Sequence, residues 1–284
     1  LNCATIVPRI IVLGYLFMKK LLNVLFLSMF LMISNNTEVN AKKYKVNDVV
    51  ETKFSINKKF QINLPKGKWI IAQSSSRNYY GLTSKIYALV RLENNSIVEY
   101  IEIAEMKTAG IYEDIVNQAI YEVLFKNKYD GCYERPEYSF LKVFKKGSTH
   151  NCFRVRHSDV YKEIYDPDDP ETSNGQMKLW IKKNNIQLPK VALSSFHAYF
   201  SRLSAGKWYL LAHTVDPRIL DAPENKNINE STSEYHLNNI DNHPEYKKIM
   251  ENWLSISAKR HIDFENSINV LKKHRLNLNE LSPN

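Results

Sequence analysis

Three histidines, His157, His197 and His213, fall on segments whose side-chain alternation predicts β-strands, and Asp159 lies two residues beyond His157 and therefore on the same face. Three imidazoles and a carboxylate are a donor set that zinc accepts, and a histidine beside a carboxylate is also a general base for hydrolysis. The spacings match no metal-ligand motif, however, and single histidines on strands more often serve as hydrogen-bonded structural or surface residues. On the opposite face of the first of these strands, Arg154 and Arg156 form a cationic pair suited to gripping a carboxylate or phosphate, or to covering a solvated strand edge. Ser74, Ser75 and Ser76 offer hydroxyls at a strand end, but a serine nucleophile needs a base in reach, and the sequence assigns none. The chain has no G-x-S-x-G elbow and no H-E-x-x-H helix, and its eight glycines form no phosphate loop. These residues therefore name no catalytic group, no metal site and no cofactor.

Cys132 and Cys152 are the only cysteines after Cys3, and their meaning depends on the compartment. Met18-Lys19-Lys20 precedes a thirteen-residue apolar run, 21–33, and a polar stretch then ends in Val39-Asn40-Ala41. This is the pattern of a signal peptide cleaved after Ala41, with residues 1–17 an upstream extension. The alternative is an uncleaved inner-membrane anchor, although the run falls short of the roughly 20 apolar residues that span a bilayer. In an oxidising compartment the two cysteines read as a Cys132–Cys152 disulfide closing a loop of about 21 residues, worth on the order of 3 kcal/mol in the chain-entropy picture. In the cytosol they would be buried thiols.

The formal net charge is +9, and removing residues 1–41, with three basic residues and one acidic one, leaves about +7. A basic exported domain is drawn to an anionic envelope surface or another envelope protein by attraction that salt screens. No run of five or six basic residues occurs, so no nucleic-acid partner is expected. Membrane contact would be peripheral or through the signal segment.

The elements that must position these residues follow from periodicity. A strand is expected over Thr52 to Leu64, with Phe54, Ile56, Phe60 and Ile62 on one face, and a restart at Trp69 after Pro65 and Gly67. Strands over 85–92 and 97–106 flank Asn94-Asn95, a pair that tolerates the left-handed conformations of a tight hairpin turn. A helix begins near Asp114, and strands over 139–144 and 153–161 lie either side of Cys152. A second helix spans about 175–183. The clearest hairpin joins 192–203 to 208–214, and a loop expected to be mobile covers 216–242. A final helix runs from Pro244 to His274, with a stripe of Tyr246, Ile249, Trp253, Ile256, Phe264, Ile268 and Leu271. The 243 residues after Ala41 suffice for one domain. Its expected class is α+β: a largely antiparallel curved sheet packed against a long C-terminal helix and two shorter ones.

Three separated features, Phe60-x-x-x-Leu64-Pro65-x-Gly67-x-Trp69, the central Cys132 and Cys152, and Ile186-Gln187-Leu188-Pro189 before a hairpin, occur together. The combination resembles a group of exported proteobacterial proteins of unknown function, over most of residues 54–260. The resemblance implies an envelope location and one domain, and supplies no catalytic residues. The opening strand, turn and Trp69 are also similar to PsbP-type α/β sandwich domains. Together these readings favour an exported, non-catalytic accessory or binding protein. The alternative is an envelope hydrolase or metal-dependent enzyme using some of His157, Asp159, His197 and His213.

Overall fold

The computed structural model describes residues 43–57, 60–79, 82–108, 140–146, 149–160, 173–201, 207–226, 231–269 and 274–278, all within the compact unit Ala41–Asn284. The fold mixes sheet and helix. Strands β1 (Val49–Val50), β4 (Trp69–Tyr79), β5 (Leu82–Glu93), β6 (Ser96–Thr108), β7 (Phe140–Lys146), β8 (Thr149–Asp159), β9 (Val191–Ser201) and β10 (Lys207–Val215) form an antiparallel sheet in the order β1-β4-β5-β6-β10-β9-β8-β7. A second sheet, in the order β11-β3-β2, comprises β2 (Lys53–Ser55), β3 (Phe60–Asn63) and β11 (His274–Asn277). Helix α1 covers Ser173–Asn184 and α2 covers Pro244–Asn269.

Asn94 and Asn95 take φ of 48° and 62°, the left-handed pair that a two-residue hairpin requires, so Glu93 pairs with Ser96 as the sequence predicts. The predicted 52–64 strand instead folds on itself. Phe54 pairs with Ile62, and the Asn57 side-chain oxygen accepts from the Phe60 amide at 2.8 Å to close the turn. The alternation was still the correct burial signal, because Phe54, Ile56, Phe60 and Ile62 are all at most 2% exposed.

One face of the large sheet, carrying Leu89, Ile101, Ile103 and Leu211, packs against the small sheet and Phe264 of α2. Phe153, Val155 and Leu193, on the next strands, meet Tyr246, Met250 and Trp253 of the same helix. Ala88, Val90 and Ala192 alternate to the other face, where Met177, Trp180 and Ile181 of α1 cover them. Strands with both faces buried lose the simple polar-apolar alternation of a solvated sheet, which is how histidines come to lie inside.

The C-terminal helix stops at Asn269 rather than His274, because His274–Asn277 pairs in parallel with β3 and satisfies that strand's free edge. The 216–242 segment is irregular, yet its described residues pack. It contains 3-10 turns at Pro217–Leu220 and Ile240–Asn242 and buries Leu220, Tyr235 and Ile240. The helix expected near Asp114 lies outside the described residues. Among the described residues no helix is long and apolar enough to cross a membrane.

Between the sheets, Trp69 is fully buried and its indole Nε1 donates to the Pro65 carbonyl at 2.9 Å. Gly67 holds φ +139°, and a Cβ there would come within 2.8 Å of Arg91 Cδ. Backbone conformation and space both exclude a side chain. Gly67→Val is expected to lower stability by about 1–3 kcal/mol, read as a shift of the urea unfolding midpoint; an unchanged midpoint would remove this account of the turn.

Candidate functional site

Strands β9 and β10 present Ser195, His197 and His213 to the face covered by α2, and α2 answers with Trp253, Ser257, Arg260, His261 and Phe264, spaced three to four residues apart. The result is a polar seam inside an apolar interface. Ser195 and His213 are 0% exposed, His197 and His261 1%, and Arg260 4%. Arg260 Nη1 donates to His213 Nδ1 at 2.9 Å, and Nη2 donates to the Leu278 carbonyl at 2.9 Å. A guanidinium can only donate, so His213 carries its proton on Nε2. The Ser195 hydroxyl donates to the His213 carbonyl at 3.4 Å, which leaves its oxygen to accept from His197 Nε2 at 3.2 Å. His197 Nδ1 is then an acceptor, and His261 Nδ1 donates to it at 3.2 Å. One neutral tautomer of each ring accounts for every one of these bonds, while the His213 Nε2 is buried with no hydrogen-bond partner among the described residues.

Electrostatics keep these rings neutral. Burial pushes the pKa of His197 well below the ordinary histidine value, and His261, Arg260 and His213 lower it further. Burial also lowers His213, with Arg260 and Arg91 adding to the effect. The seam continues to Glu99, which is 0% exposed, and Arg91 Nε donates to its Oε2 at 3.3 Å. Burial raises the Glu99 pKa, while Arg91 and then Arg260 oppose that rise. Arg91 also pairs with Glu93 at the surface.

The structure brings His197 and His213 into this seam but sets His157 apart, near Tyr235 and edge-on to the His236 ring at 5.9 Å. Asp159 is on the same strand and half-buried. Among the described residues no group of three or more His, Cys, Asp or Glu side chains is placed to hold a metal ion. Arg154 is only 6% exposed, with its guanidinium carbon 5.5 Å from the ring centre of Phe196 on the neighbouring strand, and Arg156 is half-buried. Ser74 Oγ donates to the Tyr44 carbonyl at 2.9 Å. Cys152 is fully buried on β8 beside Ala198, whereas Cys132 lies outside the described residues. Sequence reasoning missed Arg260, His261 and Glu99. The usable signal was polar residues at 257, 260 and 261, where the apolar stripe of α2 should have continued.

An open recess lies at the end of the large sheet where the β5–β6 turn, residues 186–190 and residues 216–225 meet. About 660 Å³ in volume, it is lined by Arg91, Glu93, Ser96, Gln187, Asp216 and Arg218 among others. Its frame is hydrogen-bonded: Gln187 N donates to Asn95 O at 2.9 Å, Ile97 N to Gln187 O at 3.0 Å, and Asp216 N to Val98 O at 2.9 Å. Asp216 also accepts from the Arg218 amide and from its guanidinium Nε, each at 3.0 Å. No family model matches the chain, and neither a characterised protein nor a solved structure matches it significantly.

Because the unfolded chain protonates His197 and His213 near pH 6.5 while the folded chain does not, their stabilising effect is complete above that pH and is lost as pH falls below it. Each imidazole removes up to about 1.4 kcal/mol per pH unit. Glu99, with its raised pKa, acts in the opposite sense and offsets part of the loss. Urea unfolding at pH 7.5 and 5.5 should therefore show a fall on the order of 2 kcal/mol, and equal stability at the two values would contradict the neutral seam.

Proposed function

We propose that this chain is an exported cell-envelope binding protein that acts without catalysis, in line with its resemblance to exported proteobacterial proteins. The carrying observation is that the histidines best suited to chemistry are sealed. His197 and His213 are at most 1% exposed; both His197 nitrogens are engaged, by Ser195 and His261, and His213 Nδ1 is engaged by Arg260. Ser195 and His197 do meet at 3.2 Å as a nucleophile and its base would, which favours the hydrolase alternative on distance alone. Burial leaves that pair no path to substrate or water, and the serine proton is directed to a carbonyl. The exposed recess is the better seat for a partner, because its polar and charged rim is fixed by backbone hydrogen bonds.

In this reading the domain is α+β with a curved sheet. The register shifts at Ile71/Gln73 and Arg91/Leu92 support that curvature, since bulges bend and twist the strands that carry them. A Cys132–Cys152 bridge staples the region of β7 and β8, and the burial of Cys152 fits a structural sulfur. The net charge of about +7 after Ala41 directs the domain to an anionic envelope surface.

Mass spectrometry of the periplasmic fraction is expected to find an N-terminus at Lys42 and a mass two hydrogens below the reduced form. An intact leader or free thiols would contradict export and the bridge. Binding to vesicles containing anionic lipid should weaken as salt rises from low to physiological ionic strength, and no binding even at low salt would remove the anionic partner.

A further inference from the structure

Beside the recess lies a second space, a chamber of about 80 Å³ between the large sheet and α1. Leu188, Pro189 and Asp216 line both this chamber and a side recess, whereas Val98 and Asp216 line both the chamber and the open recess. The walls are apolar, built from Ile97, Val160, Met177, Leu188, Pro189 and Ala192. Ser158 lines this space at 1% exposure, and its Oγ has no hydrogen-bond partner among the described residues. An unmade buried hydroxyl bond is costly, and a native protein retains one where something else completes it. Thr214 also lines the chamber, but its hydroxyl is engaged with Ser194 Oγ at 2.8 Å.

Charge narrows the occupant. Among the described residues no Lys, Arg or His lines the chamber, so an anion finds no counterion there. Its two acidic lining residues are already neutralised, Asp216 by Arg218 and Glu99 by Arg91, so a cation gains little. The volume admits three or four non-hydrogen atoms, on the scale where a roughly 150 Å³ cavity holds benzene, and the adjoining side recess of about 170 Å³ takes any longer remainder.

We propose that this chamber is a binding site for a small uncharged aliphatic group bearing one carbonyl or hydroxyl oxygen, with Ser158 Oγ completing the hydrogen bond. This rests on the reading of the chain as a binding protein and names the class of ligand. Affinity for a group of this size alone is on the order of millimolar.

The test is a methyl and amide NMR titration of the mature protein with isobutyramide, isobutanol and isobutyrate. The two uncharged probes should shift Met177, Val160 and Ala192 signals saturably, and isobutyrate should bind at least about tenfold more weakly. Ser158→Ala should weaken the uncharged probes about five- to tenfold while the unfolding midpoint stays level or rises. Ala192→Leu, which fills the chamber, should abolish the shifts. Absence of saturable shifts, equal binding of isobutyrate, or undiminished binding by Ala192→Leu overturns the site. If the chamber is empty but salt-dependent vesicle binding persists, the site falls and the binding-protein reading stands. If the probes bind but the protein is not exported, the reverse holds.

Discussion

Arg260 is the contact on which the three layers depend. Its guanidinium is 4% exposed, a position that costs several kcal/mol unless each donor finds an acceptor. It finds one on β10, the His213 ring nitrogen, and one just past β11, the Leu278 carbonyl. Its carbon sits 5.7 Å from the ring centre of Trp253, two helical turns earlier. The large sheet, α2 and the small sheet thus share one cation. The chain after α2 must leave the helix and run beside β3 to deliver Leu278 to it, which places a strand where helical periodicity alone would have continued the helix.

That cation also fixes the chemistry of its neighbours. A permanent positive charge beside two buried imidazoles makes protonation of either one unfavourable, so the serine, the histidines and the arginine form a directional chain of hydrogen bonds between neutral rings. The same residue types in a cleft would read as an active site. Here, buried between helix and sheet, they specify register between the two.

Much of this was legible in the sequence, and the limits have physical causes. The Asn94-Asn95 hairpin, the β9–β10 hairpin, the start of α2 and the opposite facing of Arg154 and His157 all follow from local rules, turn chemistry and period two. The small sheet does not, because the turn at Asn57 interrupts an alternation that looks continuous, and β11 exists only through pairing with β3 from the other end of the chain. The seam was half visible. His197 and His213 stood out on their strands, but Arg260 and His261 become partners only through packing, which a lone helix cannot reveal. The recess was invisible, since residues near 95, 187 and 216 meet only in the folded chain.

The most direct test of the sealed seam is the protonation state of its rings, read from imidazole ¹⁵N shifts and couplings across a pH titration of the folded protein. The account predicts Nε2–H tautomers for His197 and His213 and an Nδ1–H tautomer for His261, with His197 and His213 staying neutral below pH 6.5 until the protein unfolds. Titration of His197 or His213 near the ordinary histidine value in the folded state, or displacement of their signals by added zinc, would contradict it.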